Sequence, residues 1–311
     1  MRKIFNFGDV HFAGLYPYQI QIANKFLDWL ESYDFGNRDD IESIWLGDVT
    51  DKSVNAGDVD EVKERWAKIC AKKFCKNYVL QGNHDFKETN GRLQSSLQWL
   101  SQKKDFIVIN EVKILQTNFA KIICLPYIRV QETTLEKYYS EKLSDEIYNY
   151  VADYIIAHVA MTSTELENHH MSGMSFAKFK TQTKVLGHIH IRINKEYTGS
   201  IVPMNPLEQD DDLPNKRCIK VYNEDKTWNE LPLPKFCDFQ KIIYPNPISV
   251  KKDDNIIHIY TVLNCNNLQV AKAHYAEYII KNVEKIKDTN DTAIDANDLN
   301  NNDEINMFVF S

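Results

Sequence analysis

Short apolar runs alternate with amphipathic stretches through the first 190 residues of the chain. Continuous apolar runs are typical of buried strands, whereas apolar residues three or four positions apart are typical of helices. The predicted strands cover residues 3–7, 43–46, 78–80, 154–157 and 184–186, and the predicted helices cover residues 19–32, 59–74 and 92–100. Strands that alternate with helices in this way predict an α/β domain.

A smaller unit follows Pro232 and Pro234, with strands predicted near 239–243 and 256–262 and a helix over 268–286. We therefore expect a large domain over residues 1–235 and a small α+β domain over residues 236–287. Residues 288–311 form a predicted disordered tail, because residues 288–304 are rich in Asn and Asp and contain no Lys or Arg. The tail ends in an apolar peptide, residues 305–311.

The composition is that of a globular protein, with 43% apolar and 26% charged residues. No apolar run reaches the roughly 18–20 residues that a membrane span needs, and the amino terminus turns polar too early for a signal peptide. We expect a soluble, cytoplasmic chain with no membrane partner. The six cysteines contain no Cys-x-x-Cys pair, which favours buried thiols over a zinc site or disulfides.

The net charge of −7 comes almost entirely from the tail, because residues 1–287 carry 37 basic and 38 acidic groups. A balanced body neither indicates nor excludes binding to nucleic acid.

Five short segments place polar side chains directly after predicted strands, four of them with a glycine just before the first polar side chain. They are Gly8-Asp9-Val10-His11, Gly47-Asp48-Val49-Thr50-Asp51, Gly82-Asn83-His84-Asp85, Ala157-His158 and Gly187-His188-Ile189-His190. Taken singly, each has an ordinary structural explanation, such as a turn or a satisfied polar residue. Five in this order predict one site at the edge of a sheet.

The side chains in these segments are Asp, His and Asn without a thiolate, a set that suits two divalent ions such as manganese, iron or zinc. Two ions need a bridging ligand, and the carboxylate of Asp48 suits that role. Paired ions activate water and hold the oxygens of a phosphoryl group, while a histidine protonates the leaving alcohol.

The ordered motifs resemble those of the calcineurin-like binuclear metallophosphoesterases, over residues 1 to about 235. The resemblance implies a four-layer α/β/β/α sandwich, with residues 236–287 as a capping, DNA-binding domain. It implies that one ion is held by Asp9, His11, Asp48 and His190, and the other by Asp48, Asn83, His158 and His188. His84 matches the histidine that assists the leaving group, Asp51 is expected to support either His84 or the metal site, and Asp85 is expected to cap a following helix.

The segments after the last motif, which include Gly199-Ser200 and a strand over 216–221, resemble the SbcD-type DNA repair nucleases. Within that family, the compact size and the passage from Leu233-Pro234 to Tyr244-Pro245 are similar to the small subunits of T-even-phage recombination endonucleases. This resemblance implies a manganese-dependent 3′-to-5′ exonuclease on duplex ends and endonuclease on single strands, with magnesium, iron or zinc as alternative metals. It implies a role in recombination and double-strand-break repair, in a bacterial or bacteriophage-infected cell. The implied partners are DNA, a second copy of the chain in a homodimer and an SbcC-type coiled-coil ATPase.

Two other functions share the same ligands. A stand-alone phosphodiesterase or phosphatase for nucleotides or small phosphoesters would explain the neutral body, and a scaffold without catalysis is the other alternative. A DNA enzyme needs phosphate contacts, for which the candidates are Lys52, Lys87, Arg92, Arg129 and Arg192. The peptide 305–311 is expected either to pack as a last strand or to dock on a partner such as the ATPase or a sliding clamp.

Overall fold

The computed structural model describes residues 1–13, 17–51, 56–89, 92–128, 139, 143–161, 173–202, 217–248, 256–263, 265, 267–274 and 279–284. The helices are α1 (Pro17–Ser32), α2 (Ala56–Lys73), α3 (Asp145–Asn149) and α4 (Leu268–His274), with short 3-10 turns at Arg38–Asp40 and Gln98–Gln102. The strands are β1 (Lys3–Phe7), β2 (Ile41–Trp45), β3 (Lys76–Leu80), β4 (Phe86–Thr89), β5 (Arg92–Ser95), β6 (Phe106–Ile109), β7 (Lys113–Gln116), β8 (Lys121–Leu125), β9 (Tyr154–Ala157), β10 (Ala160–Met161), β11 (Gly173–Met174), β12 (Lys184–Leu186), β13 (Cys218–Asn223), β14 (Trp228–Pro232), β15 (Cys237–Ile243), β16 (Ile257–Leu263) and β17 (Ile279–Glu284).

Two sheets face each other within residues 3–232. The first has the order β14-β13-β1-β2-β3-β6, in which β1, β2, β3 and β6 are parallel and β13 runs antiparallel to both of its neighbours, β1 and β14. The second has the order β12-β9-β8-β7, with only β7 antiparallel to its neighbour. Strands buried on both faces read as continuous apolar runs, which is why the sequence shows β1, β3 and β9 so clearly.

Alternate side chains of each strand build the layers. One set fills the space between the sheets with Ile4, Ile44 and Leu80 from the first and Ile122 and Ile156 from the second. The other set of the first sheet packs under α1 and α2, whose buried apolar residues recur at helical spacing. The outer face of the second sheet packs against Phe176 and Phe179 and against Ile147 and Tyr148 of α3. The predicted α/β class and its layer order are confirmed.

A third, three-stranded sheet lies beside α1. Its strands β15, β16 and β17 are all parallel, and Phe239 and Ile259 join the same hydrophobic cluster as Phe26 of α1. The opposite face packs with α4 through Tyr260 and Ala271. The small domain over 236–287 stays a prediction, and the predicted acidic tail lies outside the described residues.

Two predicted helices are wrong. Residues 92–95 form β5, which pairs antiparallel with β4, and Gln98–Gln102 is a short 3-10 turn. The helix predicted over 268–286 ends at His274, and Ile279–Glu284 forms β17 beside β16. Two adjacent isoleucines and a valine in β17 favour a strand, because β-branched side chains pack well on a pleated surface. In both segments strand pairing outweighs helical spacing.

Within the described part of the chain, none of the helices has the length and apolar character that a membrane span requires.

Glu42 provides a pH-dependent test of this packing. Its side chain on β2 is only 2% exposed, and the Tyr78 hydroxyl donates a hydrogen bond to it at 3.1 Å. Burial raises the pKa of Glu42 above its ordinary value of 4.5. A raised folded-state pKa means that wild-type stability is lost as the pH rises from the unfolded-state pKa through the folded-state pKa.

We therefore expect Glu42→Gln to leave the free energy of unfolding nearly unchanged at about pH 4 and to increase it at about pH 8. Urea unfolding at both pH values measures the difference, with the exposed Glu61→Gln on α2 as the control. An equal effect of Glu42→Gln at the two pH values would contradict the burial of a charged carboxylate.

Candidate metal centre

All nine predicted site residues lie where the carboxyl ends of parallel strands meet. Asp9 and His11 follow β1, Asp48 and Asp51 follow β2, and Asn83 and His84 follow β3 of the first sheet; His158 follows β9, and His188 and His190 follow β12 of the second. Because the two sheets pack face to face, the ends of β9 and β12 come to the ends of β1, β2 and β3. The structure therefore brings the nine residues into one site.

Asp9, His11, Asp48 and His190 form a first group of candidate ligands. One ligand atom from each lies within 4.8 Å of the others, and all four residues are buried. The Nε2 atoms of His11 and His190 are 2.9 Å apart, and His11 Nε2 is 3.6 Å from Asp48 Oδ2. Four ligand atoms this close together could hold a metal ion.

A second group shares Asp48 with the first and adds His158 and His188. His158 Nε2 is 3.1 Å from Asp48 Oδ2. Asn83 Oδ1 lies 2.9 Å from His158 Nε2 and 2.9 Å from His188 Nδ1, so the amide belongs to this group. The carboxylate of Asp48 therefore stands between two sets of ligands, as a bridging residue must.

His84 lies beside both groups and is held at two points. Its backbone N–H donates to Asp48 Oδ1 at 2.7 Å, and its ring Nδ1 lies 3.1 Å from Asp51 Oδ1. The carboxylate of Asp51 can only accept, so Nδ1 carries the proton in this pair. The His84 and His11 rings are in edge contact, with centroids 4.9 Å apart. The pair of Asp51 and His84 is thus positioned next to the candidate ligands.

The backbone is strained at three of the candidate ligands. His11, Asp48 and His188 have φ angles of 51°, 48° and 78°, in the left-handed region. Such residues cost about 1–3 kcal/mol each and cluster at functional sites. Gly47 has φ 112°, and a Cβ there would lie 2.3 Å from His158 Nδ1. Only glycine permits this approach of the β2 loop to His158.

Hydrogen bonds with backbone groups fix the orientation of two ligand side chains, His158 and Asp9. His158 Nδ1 lies 2.7 Å from the Leu46 carbonyl oxygen, which can only accept, so Nδ1 is protonated and Nε2 faces Asp48 and Asn83. The N–H of His188 donates to Asp9 Oδ2 at 2.8 Å. A histidine ring fixed through its other nitrogen is the usual arrangement of a metal ligand.

Burial shifts the pKa values of these groups in both directions. It raises the pKa of Asp9 to about 6 and lowers the pKa of His188 to about 3. Burial would also lower the pKa of His158, but the neighbouring carboxylates of Asp48 and Asp9 outweigh it and raise that pKa to about 9. The protonation of each carboxylate and imidazole in this buried site therefore depends on the charges of the others.

The residues present fit divalent metal ions. Asp9 Oδ1 is buried and has no hydrogen-bond partner among the described residues, and a bound cation would compensate this oxygen. Histidine nitrogens, carboxylate oxygens and an amide oxygen without thiolate are the donors that manganese, iron and zinc accept.

Three features of the site go beyond the sequence prediction or correct it. Asp85 precedes strand β4 and not a helix, so its predicted role as a helix cap is wrong. The Tyr127 ring lies near those of His188 and His158, with centroids 6.1 and 6.4 Å away, and no motif pointed to it. Arg192 is 7% exposed and donates to Glu230; the side chains of the other four candidate phosphate contacts lie outside the described residues.

Comparison with known proteins gives one family. A family model described as calcineurin-like phosphoesterase matches residues 2–192, a range that contains all nine site residues. No curated protein matches the chain. Among solved structures, a protein of unknown function from Aquifex aeolicus is similar at 16% sequence identity, over 57% of this chain and 90% of that chain, with a TM-score of 0.32. That TM-score is too low to bear on the fold.

Asp48→Asn tests the shared ligand. Asn has almost the same shape but no charge, so we expect the chain to bind about two manganese ions as wild type and fewer than one as the variant. Equilibrium dialysis followed by elemental analysis measures the content, with the exposed Asp39→Asn as the control. Unchanged metal content in Asp48→Asn would show that Asp48 does not bridge the two groups.

Proposed function

Because the chain belongs to the calcineurin-like phosphoesterase family, we propose that it is a metal-dependent phosphodiesterase that cuts DNA. The observation that supports phosphoester hydrolysis is the position of Asp48 between two groups of ligands, with His84 and Asp51 beside them. Manganese is the metal we propose, with the two groups holding one ion each. Divalent ions bound there supply Lewis-acid stabilisation of a phosphoryl group and activation of water.

His84 is the residue we propose to assist the leaving oxygen. Asp51 fixes the Nδ1 side of the ring at 3.1 Å and stabilises the imidazolium form, and Asp48 fixes the backbone of the same residue. In the imidazolium form, Nε2 carries a proton that it can give to the departing alkoxide. The His84 side chain is only 10% exposed, which limits competition from water for that proton.

DNA is the proposed substrate because the segments after His190 resemble SbcD-type nucleases. Residues 217–232 complete the first sheet as β13 and β14, and the third sheet follows directly as a unit beside α1. We propose that residues 236–287 bind DNA as a capping domain. The chain has no Gly-x-x-x-x-Gly-Lys-Ser/Thr segment, so we propose an SbcC-type ATPase partner for any step driven by ATP, together with a homodimer.

A stand-alone phosphodiesterase for small phosphoesters is the second candidate. The near-balance of charge in residues 1–287 favours it, because most proteins that bind duplex DNA carry a basic surface. If DNA is the substrate, the bound metal ions themselves supply the positive charge that attracts the phosphodiester.

Cleavage assays separate the two candidates. We expect manganese-dependent, stepwise loss of nucleotides from the 3′ ends of an end-labelled duplex, and turnover of bis-p-nitrophenyl phosphate in parallel. The chelator-treated protein should be inactive on both substrates and recover with manganese. Hydrolysis of the small diester with no cleavage of duplex or single-stranded DNA, even when an SbcC-type ATPase is added, would favour the small-phosphoester enzyme.

His84→Ala separates catalysis from metal binding. We expect kcat on bis-p-nitrophenyl phosphate to fall by about 10²- to 10⁴-fold, the usual contribution of a general acid. Manganese content should stay at the wild-type level, because the variant keeps the backbone N–H that donates to Asp48. A variant with wild-type kcat would exclude His84 from the reaction.

A further inference from the structure

A buried carboxylate, Asp85, joins two of the loops that carry the metal centre. Its Oδ1 accepts hydrogen bonds from the backbone N–H of Thr50 at 3.1 Å and from the Thr50 hydroxyl at 3.2 Å. Its Oδ2 accepts from the backbone N–H of Gly82 at 2.9 Å. Asp85 is 0% exposed, so these bonds form away from water.

The two partners of Asp85 are close in sequence to the functional side chains. Thr50 lies between Asp48 and Asp51 on the loop after β2, and Gly82 directly precedes Asn83 on the loop after β3. One carboxylate thus sets the distance between the loop that carries the shared ligand and the loop that carries His84.

The same contacts extend to neighbouring segments. The Thr50 hydroxyl is 2.7 Å from the Ser96 hydroxyl, and the Ser96 N–H donates to the Asp85 carbonyl at 2.7 Å, which ties in the hairpin of β4 and β5. On the other side, Thr50 forms a bridge with Phe12, and the Asp51 N–H donates to the Phe12 carbonyl at 3.2 Å. The loop after β1, which carries His11, is therefore connected to Asp85 through Thr50.

We propose that Asp85 is a positioning residue that aligns His84 with Asp51 and keeps Asn83 beside His158 and His188. His84 is anchored to the β2 loop by its own backbone bond to Asp48 and by the bonds of the next residue, Asp85, to Thr50. Loss of the Asp85 carboxylate removes the second of these anchors, so the backbone that carries the ring is held less tightly and its alignment with Asp51 is less precise. A misplacement of about 1 Å at a reacting group costs about 10²-fold in rate.

Two variants weaken the hydrogen bonds of Asp85 and leave every candidate metal ligand unchanged. Asp85→Asn keeps the size of the side chain but turns one acceptor into an NH₂ group that faces an N–H donor. Thr50→Val keeps the shape and the backbone N–H and loses only the hydroxyl. Asp153→Asn is the matched control, because Asp153 also accepts a backbone N–H, from Lys121 at 2.8 Å, and a hydroxyl, from Tyr222 at 3.2 Å, but precedes β9 at the end remote from His158.

We expect Asp85→Asn to lower kcat on bis-p-nitrophenyl phosphate by about 10- to 100-fold with a change in KM below about threefold, and to weaken manganese binding by about tenfold. Thr50→Val should act in the same direction and add little to Asp85→Asn in the double variant, because both break the same contact. Asp153→Asn should lower Tm and leave kcat and manganese affinity at the wild-type level.

Manganese titration by calorimetry and the Tm of the metal-free protein accompany the kinetics. Wild-type kcat and manganese affinity in Asp85→Asn, with a loss of Tm like that of Asp153→Asn, would reduce Asp85 to a structural residue. The kinetic part rests on the proposed function, whereas the titration does not. If the wild-type protein hydrolyses no phosphodiester, the proposed function fails. The titration still tests the positioning role in that case: weakened manganese affinity in Asp85→Asn supports it, and unchanged affinity overturns it.

Discussion

The carboxylate of Asp48 is buried where the ends of the two sheets meet, and three other site residues, His11, His84 and His158, contact it directly. Its side chain accepts the N–H of His84 and faces the rings of His158 and His11, and its carbonyl accepts the N–H groups of Val10 and His11. Burial alone would raise the pKa of Asp48, but His158 and then His11 and His84 outweigh it and hold that pKa well below its ordinary range. A buried charge must be compensated, and compensation here requires side chains from three other loops, those after β1, β3 and β9.

The fold supplies these loops because parallel strands end together. Within the first sheet, β1, β2 and β3 bring Asp9, Asp48 and Asn83 to one edge, and the packing of the two sheets adds His158 and His188 from β9 and β12. The strain at His11, Asp48 and His188 is tolerated because apolar layers hold both sheets rigidly on each side. The hydrophobic core and the site therefore depend on each other. The core fixes the positions of the strand ends, and the strand ends place the ligands.

The sequence predicts the site better than it predicts the local structure around it. Asp9, His84 and His190 could be named because each lies within a few residues of the end of an apolar run and the motifs occur in a known order. The role of Asp85 could not be predicted, since its partners are the backbone N–H groups of Thr50 and Gly82, which carry no sequence signal. The helices over 92–100 and 268–286 failed for a related reason. Their apolar spacing fits a helix. However, residues 92–95 pair with β4 and residues 279–284 pair with β16, and spacing within one segment does not reveal pairing with another strand.

Crystals grown with manganese, with diffraction data collected to give the anomalous signal of that metal, test the central claim most directly. We expect two anomalous peaks roughly 3.5–4 Å apart, one on each side of Asp48. One peak should be bound by Asp9, His11 and His190, and the other by Asn83, His158 and His188. A single peak, or peaks that do not share Asp48, would contradict a binuclear centre built around this carboxylate.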